Sequence, residues 1–314
     1  KSIPEGLENF FELEMIARNS SVKKSHHVNI KEINLGSNLI FFLYKVFKTL
    51  TKRNKKYLII SITPYTFSAY LLLALFWQKP FVYLRSSGHE EYKYILGFFG
   101  SYLYHLMFYL VSLRSNFISC NSRILMGKKG NLVSPSQLND SWFKPTKKLN
   151  SEKIKLLYIG RVKVEKGIFS LLKIIEKFNL NVELTIVSAG ATNIKTINQK
   201  NVNLINHENK NDSIIEVYDN HNIFVLPSFT EGHPQVLDEA LARGKPVIIF
   251  EEIAHVIGNR KGVFVSKRDT LGFSNSINYI MKNYDFIQKK ISENKLPNKK
   301  NFLEDIKKII KENK

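Results

Sequence analysis

Residues Phe224 to Ile248 read FVLPSFTEGHPQVLDEALARGKPVI. Phe224 to Leu226 close an apolar run of strand type, Pro227 to His233 are turn residues, and Val236, Leu237, Ala240 and Leu241 recur at helical spacing. Pro234 suits the first position of that helix and Gly244 its C-terminal cap. The next run, Pro246 to Phe250, reads as another strand. Strand, turn, helix and strand is the repeating unit of a parallel sheet wrapped by helices. Glu231 stands just before the helix, and Glu239 follows about one and a half turns into it at 3.6 residues per turn. Both carboxylates can therefore border one pocket at the carboxyl edge of the sheet, where ligands of open α/β sheets bind. Gly232 lets backbone approach a ligand, and the free amides of the turn suit a phosphate. The plain alternative is a pair of solvated helix-end acids.

The same grammar extends outward. Strand-type runs occur at Ile154 to Ile159, Val182 to Val187, Asn222 to Leu226 and Gly262 to Val265, with helical spacing between them, as at Ser170 to Phe178. Tyr158 to Gly167, YIGRVKVEKG, begins at the end of the first of these strands. Gly160 provides a tight turn, and Arg161 and Lys166 offer two cations over the sheet edge, a clamp for a diphosphate. A cationic pair facing a hydroxyl-binding carboxylate fits a nucleoside diphosphate sugar.

The N-terminal half predicts a second open α/β unit: helix Leu7 to Arg18, strand His27 to Ile30, helix Leu39 to Leu50, strand Tyr57 to Ser61, helix Phe67 to Phe76, strand Phe81 to Leu84, and short strands near Asn116 to Ser119 and Asn131 to Val133. Pro4 to Glu8 reads as the turn after a strand, so this unit is expected to lack its first strand. Asn139 to Lys153 has linker composition. The expected domains are residues 1–150 and 151–314, with a crevice between them.

The 314 residues carry 47 Lys and Arg against 27 acids, a net charge of +20. Residues 1–150 hold 21 cations and 8 acids, which gives that half +13. Such a surface faces something anionic, whether nucleic acid, membrane or phosphate-bearing substrate, unless the lysine richness is genomic drift. The single Cys120 excludes an internal disulfide and reads as a small buried side chain, in keeping with a reducing cytoplasm. Lys1 to Phe10 lacks the apolar core of a secretory leader.

GRVKVEKG, followed by FVLPSFTEGHPQVLDEALARGKPVI, resembles the retaining glycosyltransferases of family 4, of GT-B architecture with two facing Rossmann-like domains. VYDNHNIFVLPS before the second motif and VIIFEEIAHVIGNRKGVFV after it extend the likeness over most of the C-terminal half. In the N-terminal half, PEGLENFFELEMIARN resembles the family's first loop and helix, and KPFVYLRSSG the strand and loop that point at the acceptor. The resemblance implies that Arg161 and Lys166 bind the donor diphosphate with Gly160 at the turn. It implies further that Glu239 receives the ribose hydroxyls, and that Glu231 contacts the transferred sugar beside Gly232, His233 and Pro234. Neither metal nor cofactor is then required, since preorganised cations stabilise the departing nucleoside diphosphate. The acceptor loop has Arg85, Ser86, Ser87 and Gly88 where the family often has histidine, so His89 becomes the candidate for sugar contact, with Arg85, Ser86 and Gly88 as acceptor-side candidates. The glycine-rich turn expected after Val187 is reduced to Ser188, Ala189 and Gly190.

Ile95 to Leu113 runs nineteen residues without a formal charge, the length of a membrane span. A span there would part the two halves of one α/β unit, so the reading is a core helix or an interfacial one. Leu39 to Lys56, aromatic and basic, favours peripheral attachment to an anionic membrane. The expected protein is a bacterial, cytoplasmic, membrane-associated enzyme that moves a hexose-type sugar from a nucleotide donor to a glycan acceptor, lipid-linked, in surface polysaccharide biosynthesis. A binding module that holds nucleotide sugar without turnover is the alternative. A nucleotide-dependent oxidoreductase would need a G-x-G-x-x-G turn that is absent, and no nucleic-acid module is recognisable.

Overall fold

The computed structural model describes the chain except residues 1, 20–27, 53, 145–152, 179–180, 189–200, 207–213 and 313–314. It divides into two units, residues 1–135 with 299–314, and residues 136–298. The division falls after Pro135, not at residue 150, because Ser136 to Lys144 pack on the second unit while the last helix returns to the first.

The first unit opens with α1 (Ser2–Leu7), then β1 (Glu14–Arg18) and β2 (Glu32–Gly36), which form a parallel pair of their own. Over Leu7 to Arg18, where a helix is expected, only Leu7 is helical, as the end of α1; a turn follows and then β1. The strand expected over His27 to Ile30 is not formed there: β2 begins at Glu32, two residues after Ile30, and His27 itself lies outside the described residues. Pro4 to Glu8 is mostly helix, not a turn, and no strand precedes Glu14 among the described residues. There follow α2 (Leu39–Thr49), β3 (Leu58–Ile60), α3 (Pro64–Leu75), β4 (Phe81–Leu84), α4 (Gly88–Leu113), β5 (Asn116–Ser119) and β6 (Gly130–Leu132). The four strands β3 to β6 pair in chain order, all parallel. Local chemistry sets the helix starts: Asn38 Oδ1 accepts from the Phe41 amide, and Thr63 and Thr66 form a reciprocal capping box with Pro64 at the first position. Helix α4 breaks at Gly97, whose φ of 67° and ψ of −152° are non-helical. Beyond it, Tyr104, Met107, Phe108 and Val111 are buried, and the Phe108 ring stacks on Phe117 of β5 at 5.2 Å. That buried stripe makes the long apolar segment part of this unit's core.

The second unit comprises β7 (Ile154–Ile159), α5 (Ile168–Glu176), β8 (Val182–Ser188), β9 (Val202–Asn206), α6 (Ile214–Asp219), β10 (Ile223–Leu226), α7 (Gln235–Ala242), β11 (Val247–Phe250), β12 (Val263–Ser266), α8 (Thr270–Lys282) and α9 (Tyr284–Ile291). Its six strands are parallel in the order β12-β11-β10-β7-β8-β9. The chain winds from β7 to one edge, then returns to β10 on the other side of β7. The order therefore reverses between β7 and β10, which fixes where a ligand crevice opens. Strands β10 and β11 are buried on both faces, hence their unbroken apolar sequences. The final α10 (Lys299–Glu312) sets Phe302, Leu303, Ile306 and Ile310 into the first unit against Leu7, Phe81, Tyr83 and Ile118.

Candidate active site at the sheet switch point

The loops leaving β7 and β10 meet at the switch point. Tyr158 is buried near the end of β7, and its hydroxyl donates to the Arg161 carbonyl at 2.8 Å, pulling the loop over the ring. A Cβ at Gly160 would lie 2.6 Å from that hydroxyl, so the turn admits only glycine without displacement. Burial, and then the nearby Glu231 charge, push the Tyr158 phenol well above its ordinary value, so it stays a neutral donor. Gly167 holds φ 66°, ψ 8°, and a Cβ there would stand 1.8 Å from the Pro227 carbonyl oxygen. The left-handed glycine of the site is therefore Gly167; Gly232 is exposed and lies outside that backbone region.

This close approach brings the two loops into register. The Phe229 amide donates to the Glu165 carbonyl at 3.0 Å. Lys166 Nζ donates to Glu231 Oε1 at 2.6 Å, and Ser228 Oγ donates to the same oxygen at 2.7 Å. His255 Nε2 donates to the Glu231 carbonyl at 2.9 Å. Below them Arg268 acts as a rivet, donating to the Pro227 carbonyl at 2.9 Å, the Ser228 carbonyl at 3.3 Å and Ser170 Oγ at 2.8 Å. Its guanidinium lies 4.2 Å from the Phe229 ring centroid and 4.3 Å from that of Phe250, and it pairs with Glu252 at 2.7 and 3.0 Å.

Glu239 is held separately. Tyr218, fully buried on α6, donates from its hydroxyl to Glu239 Oε2 at 2.9 Å. Burial raises the Glu239 carboxyl above its ordinary value; the Tyr218 hydrogen bond opposes the rise and the charge of Asp238 adds to it. Asp238 in turn is clasped by Arg260 at 2.5 and 3.0 Å, with His233 Nε2 at 3.5 Å. Pro234 caps α7 one residue before its first turn, and Gly244 takes the left-handed cap at φ 65°.

Of the residues expected from sequence, Lys166 and Glu231 meet, while Gly160 and the exposed Arg161 stand on the same loop as Lys166. Glu239 lies on α7, with Gly232, His233 and Pro234 in the turn between the two glutamates. Ala189 and Gly190 lie outside the described residues. In the first unit, Arg85 is exposed just after β4 and its carbonyl accepts from Cys120 Sγ at 3.5 Å, while Ser86 is half-buried. Gly88 is pressed against Tyr104, and the His89 ring packs edge-on to Tyr104 at 4.8 Å with Nδ1 3.5 Å from Ser101 Oγ. Burial, and then His105, lower the His89 value, which keeps the ring neutral. Sequence reasoning missed Ser228, Tyr218 and Arg268. Tyr218 and Ser228 stand within the quoted motifs, but Arg268 lies 41 residues beyond Pro227 and carries no local signal. Among the described residues no three His, Cys, Asp or Glu side chains gather as metal ligands.

A doubly wound parallel sheet, a second parallel α/β unit and a cation–carboxylate cluster at the switch point define the class: GT-B glycosyltransferases. The family model of glycosyl transferases group 1 matches residues 140–296, and the chain belongs to that family. Among curated proteins it is similar to TuaC of Bacillus subtilis (strain 168), named for a glycosyltransferase role in teichuronic acid biosynthesis, at 28% identity over 123 residues. That match covers 38% of this chain and only 31% of TuaC, so the chain spans about a third of that relative's length. Among solved structures, Alr3699/HepE of Anabaena in complex with UDP and glucose superposes at TM-score 0.74 and 12% identity, covering 99% of this chain and 95% of that one. Sucrose-phosphate synthase of Thermosynechococcus elongatus does so at TM-score 0.70 and 17% identity, covering 87% and 77%. Identities this low establish the shared fold alone.

Proposed function

We propose that the protein is a retaining glycosyltransferase that takes its sugar from a nucleoside diphosphate sugar, without a metal, and delivers it to a glycan acceptor in surface polysaccharide biosynthesis. The observation that carries this is the meeting of Lys166 with Glu231 across two loops locked by Gly167, at the switch point of the doubly wound sheet. Lys166 and Arg161 take the diphosphate, Glu239 the ribose hydroxyls and Glu231 the sugar. When the bond between the anomeric carbon and the diphosphate oxygen breaks, the electron pair and its charge stay on the diphosphate; Lys166 and Arg161 stabilise that charge as it develops. The acceptor hydroxyl oxygen forms the new bond on the face the diphosphate leaves and passes its proton to the departing diphosphate oxygen, which retains the anomeric configuration. Without donor, Lys166 and Glu231 neutralise each other, so neither charge lies uncompensated beneath the loops. The likenesses to HepE, seen with UDP and glucose, and to TuaC support a nucleotide-sugar donor and a polysaccharide acceptor. The acceptor is lipid-linked, meets the enzyme through Arg85 to Ser87 and the start of α4 at Gly88 and His89, and is reached from the cytoplasm at the inner face of a bacterial membrane. The irregular acceptor loop favours the second reading, a module that binds nucleotide sugar without turnover.

A screen of UDP-, GDP-, ADP- and dTDP-sugars by thermal shift and nucleotide release tests both. Stabilisation with release supports transfer, stabilisation without release supports the module, and no stabilisation by any nucleotide sinks the donor site. Lys166→Ala and Arg161→Ala are expected to lower turnover by about 10²-fold or more.

A further inference from the structure

The first unit carries an apolar surface that its core does not use. Beyond Gly97, the buried stripe of α4 is backed by an exposed one at Phe99, Tyr102, Leu103, Leu106, Tyr109 and Leu113, again at helical spacing. Phe98 and Phe99, at the Gly97 break, are 80% and 83% exposed. The surface continues onto neighbouring helices. Trp77, just after α3, is 78% exposed and lies under the Arg114 guanidinium at 4.3 Å. Phe76 packs edge-on to the exposed Phe47 of α2 at 5.5 Å, and Ile40, Phe41 and Tyr44 extend that face. Soluble surfaces rarely expose so continuous an apolar area.

The rim identifies the occupant. Lys48 sits over the Tyr44 ring at 4.8 Å, Arg114 over Trp77 and Lys128 over Tyr109 at 5.4 Å, so a cation covers an exposed aromatic ring on each of the three helices or just beyond its end. From Ile33 to Asn139 the chain has thirteen Lys and Arg against two acids, Glu90 and Glu91. Aromatic rings with a polar edge, basic side chains snorkelling outward and an apolar centre match the layers of a bilayer interface with anionic headgroups. Because Tyr104, Met107, Phe108 and Val111 are held in the protein core, α4 lies along the bilayer and does not cross it.

We infer that the exposed faces of α2, α3 and α4 dock on an anionic phospholipid bilayer, with Phe98 and Phe99 entering the acyl boundary and Lys48, Arg114 and Lys128 meeting the headgroups. The surface deepens the lipid-linked reading of the acceptor, but its test needs no sugar donor, so its failure leaves the donor site standing. The test is flotation of the whole protein with vesicles of phosphatidylglycerol and phosphatidylcholine, against phosphatidylcholine alone. The chain has two tryptophans, and Trp142 is buried, so Trp77 emission reports contact with lipid. The expected result is salt-sensitive binding to the anionic vesicles, a blue shift of emission, and about tenfold weaker binding after Phe98→Ser with Phe99→Ser. Both side chains are solvent-exposed, so circular dichroism and nucleotide-sugar stabilisation stay unchanged. Lys48→Gln with Lys128→Gln is expected to reduce binding and its salt dependence together. Failure of the wild type to bind anionic vesicles, or binding that neither double substitution weakens, would overturn the inference. So would self-association abolished by the phenylalanine substitutions without vesicle binding, which assigns the face to a second copy.

Discussion

Replacing Tyr218 by Phe removes one oxygen, and its consequences can be worked through from the site. The hydroxyl donates to Glu239 Oε2 at 2.9 Å from a fully buried ring, and it opposes the rise that burial imposes on that carboxyl. A hydrogen bond to a charged group contributes about 1.5–3 kcal/mol. For a unit of this size each kcal/mol moves the melting temperature by about 2–4 °C, so the second unit is expected to melt roughly 3–12 °C lower. The loss depends on pH. Because the folded Glu239 value is raised, its favourable contribution is complete below the ordinary carboxylate range and fades as pH rises through the folded value. Tyr218→Phe raises that value further, so the deficit is largest at neutral and alkaline pH and shrinks on acidification. Calorimetry of wild type and variant at about pH 8 and about pH 4.5 makes the comparison, with Glu239→Gln as background. Nucleotide affinity should fall too, because Tyr218 orients the carboxylate assigned to the ribose. A deficit equal at both pH values, or unchanged when Glu239 is already Gln, would refute the coupling.

Other substitutions separate the stitching of the site from its chemistry. Gly167→Ala forces a Cβ to within 1.8 Å of the Pro227 carbonyl oxygen at φ 66°, and the left-handed backbone alone costs about 1–3 kcal/mol. Isothermal titration should find nucleotide-sugar binding lost before global unfolding. Arg243 pairs bidentately with Asp219 at 2.8 Å and donates to the carbonyls of Ser141, Trp142 and Lys144, so Arg243→Ala should destabilise the second unit by about 3–5 kcal/mol. Urea unfolding measures that, and Arg243→Lys should recover only a fraction. Burial, and then Lys155 and Lys245, depress His221, so its contribution holds above the unfolded histidine value and is lost as pH falls through the folded one. Stability of the second unit should decline below about pH 6.5, with a shallower slope in His221→Gln.

The second unit was nearly transparent in sequence because its central strands are buried on both faces and read as unbroken apolar runs between glycine and proline turns. All five expected strands fall within a residue of their observed ends. The edge strand β9 escaped notice because half-exposed Val202–Asn206 carries no such run. In the first unit, Leu7 to Arg18 reads as a helix, yet Glu14 to Arg18 pair with Glu32 to Gly36. A parallel partner across an intervening segment outweighs local propensity. Pairings between distant positions were likewise silent. Lys166 and Glu231 could be named, but not that they meet each other, and Arg268 had no motif to mark it.

The order of strands and helices, the glycines at the turns and the residue types of the donor site follow from the sequence alone, because they rest on periodicity and backbone chemistry within a few residues. Tertiary structure decided where the chain divides, that α10 completes the first unit, which side chain neutralises Glu231, and that one face of α4 is core while the other is bare. Each of those depends on segments far apart in the chain arriving at one place, and burial there sets which charges are paired and which apolar faces are left exposed.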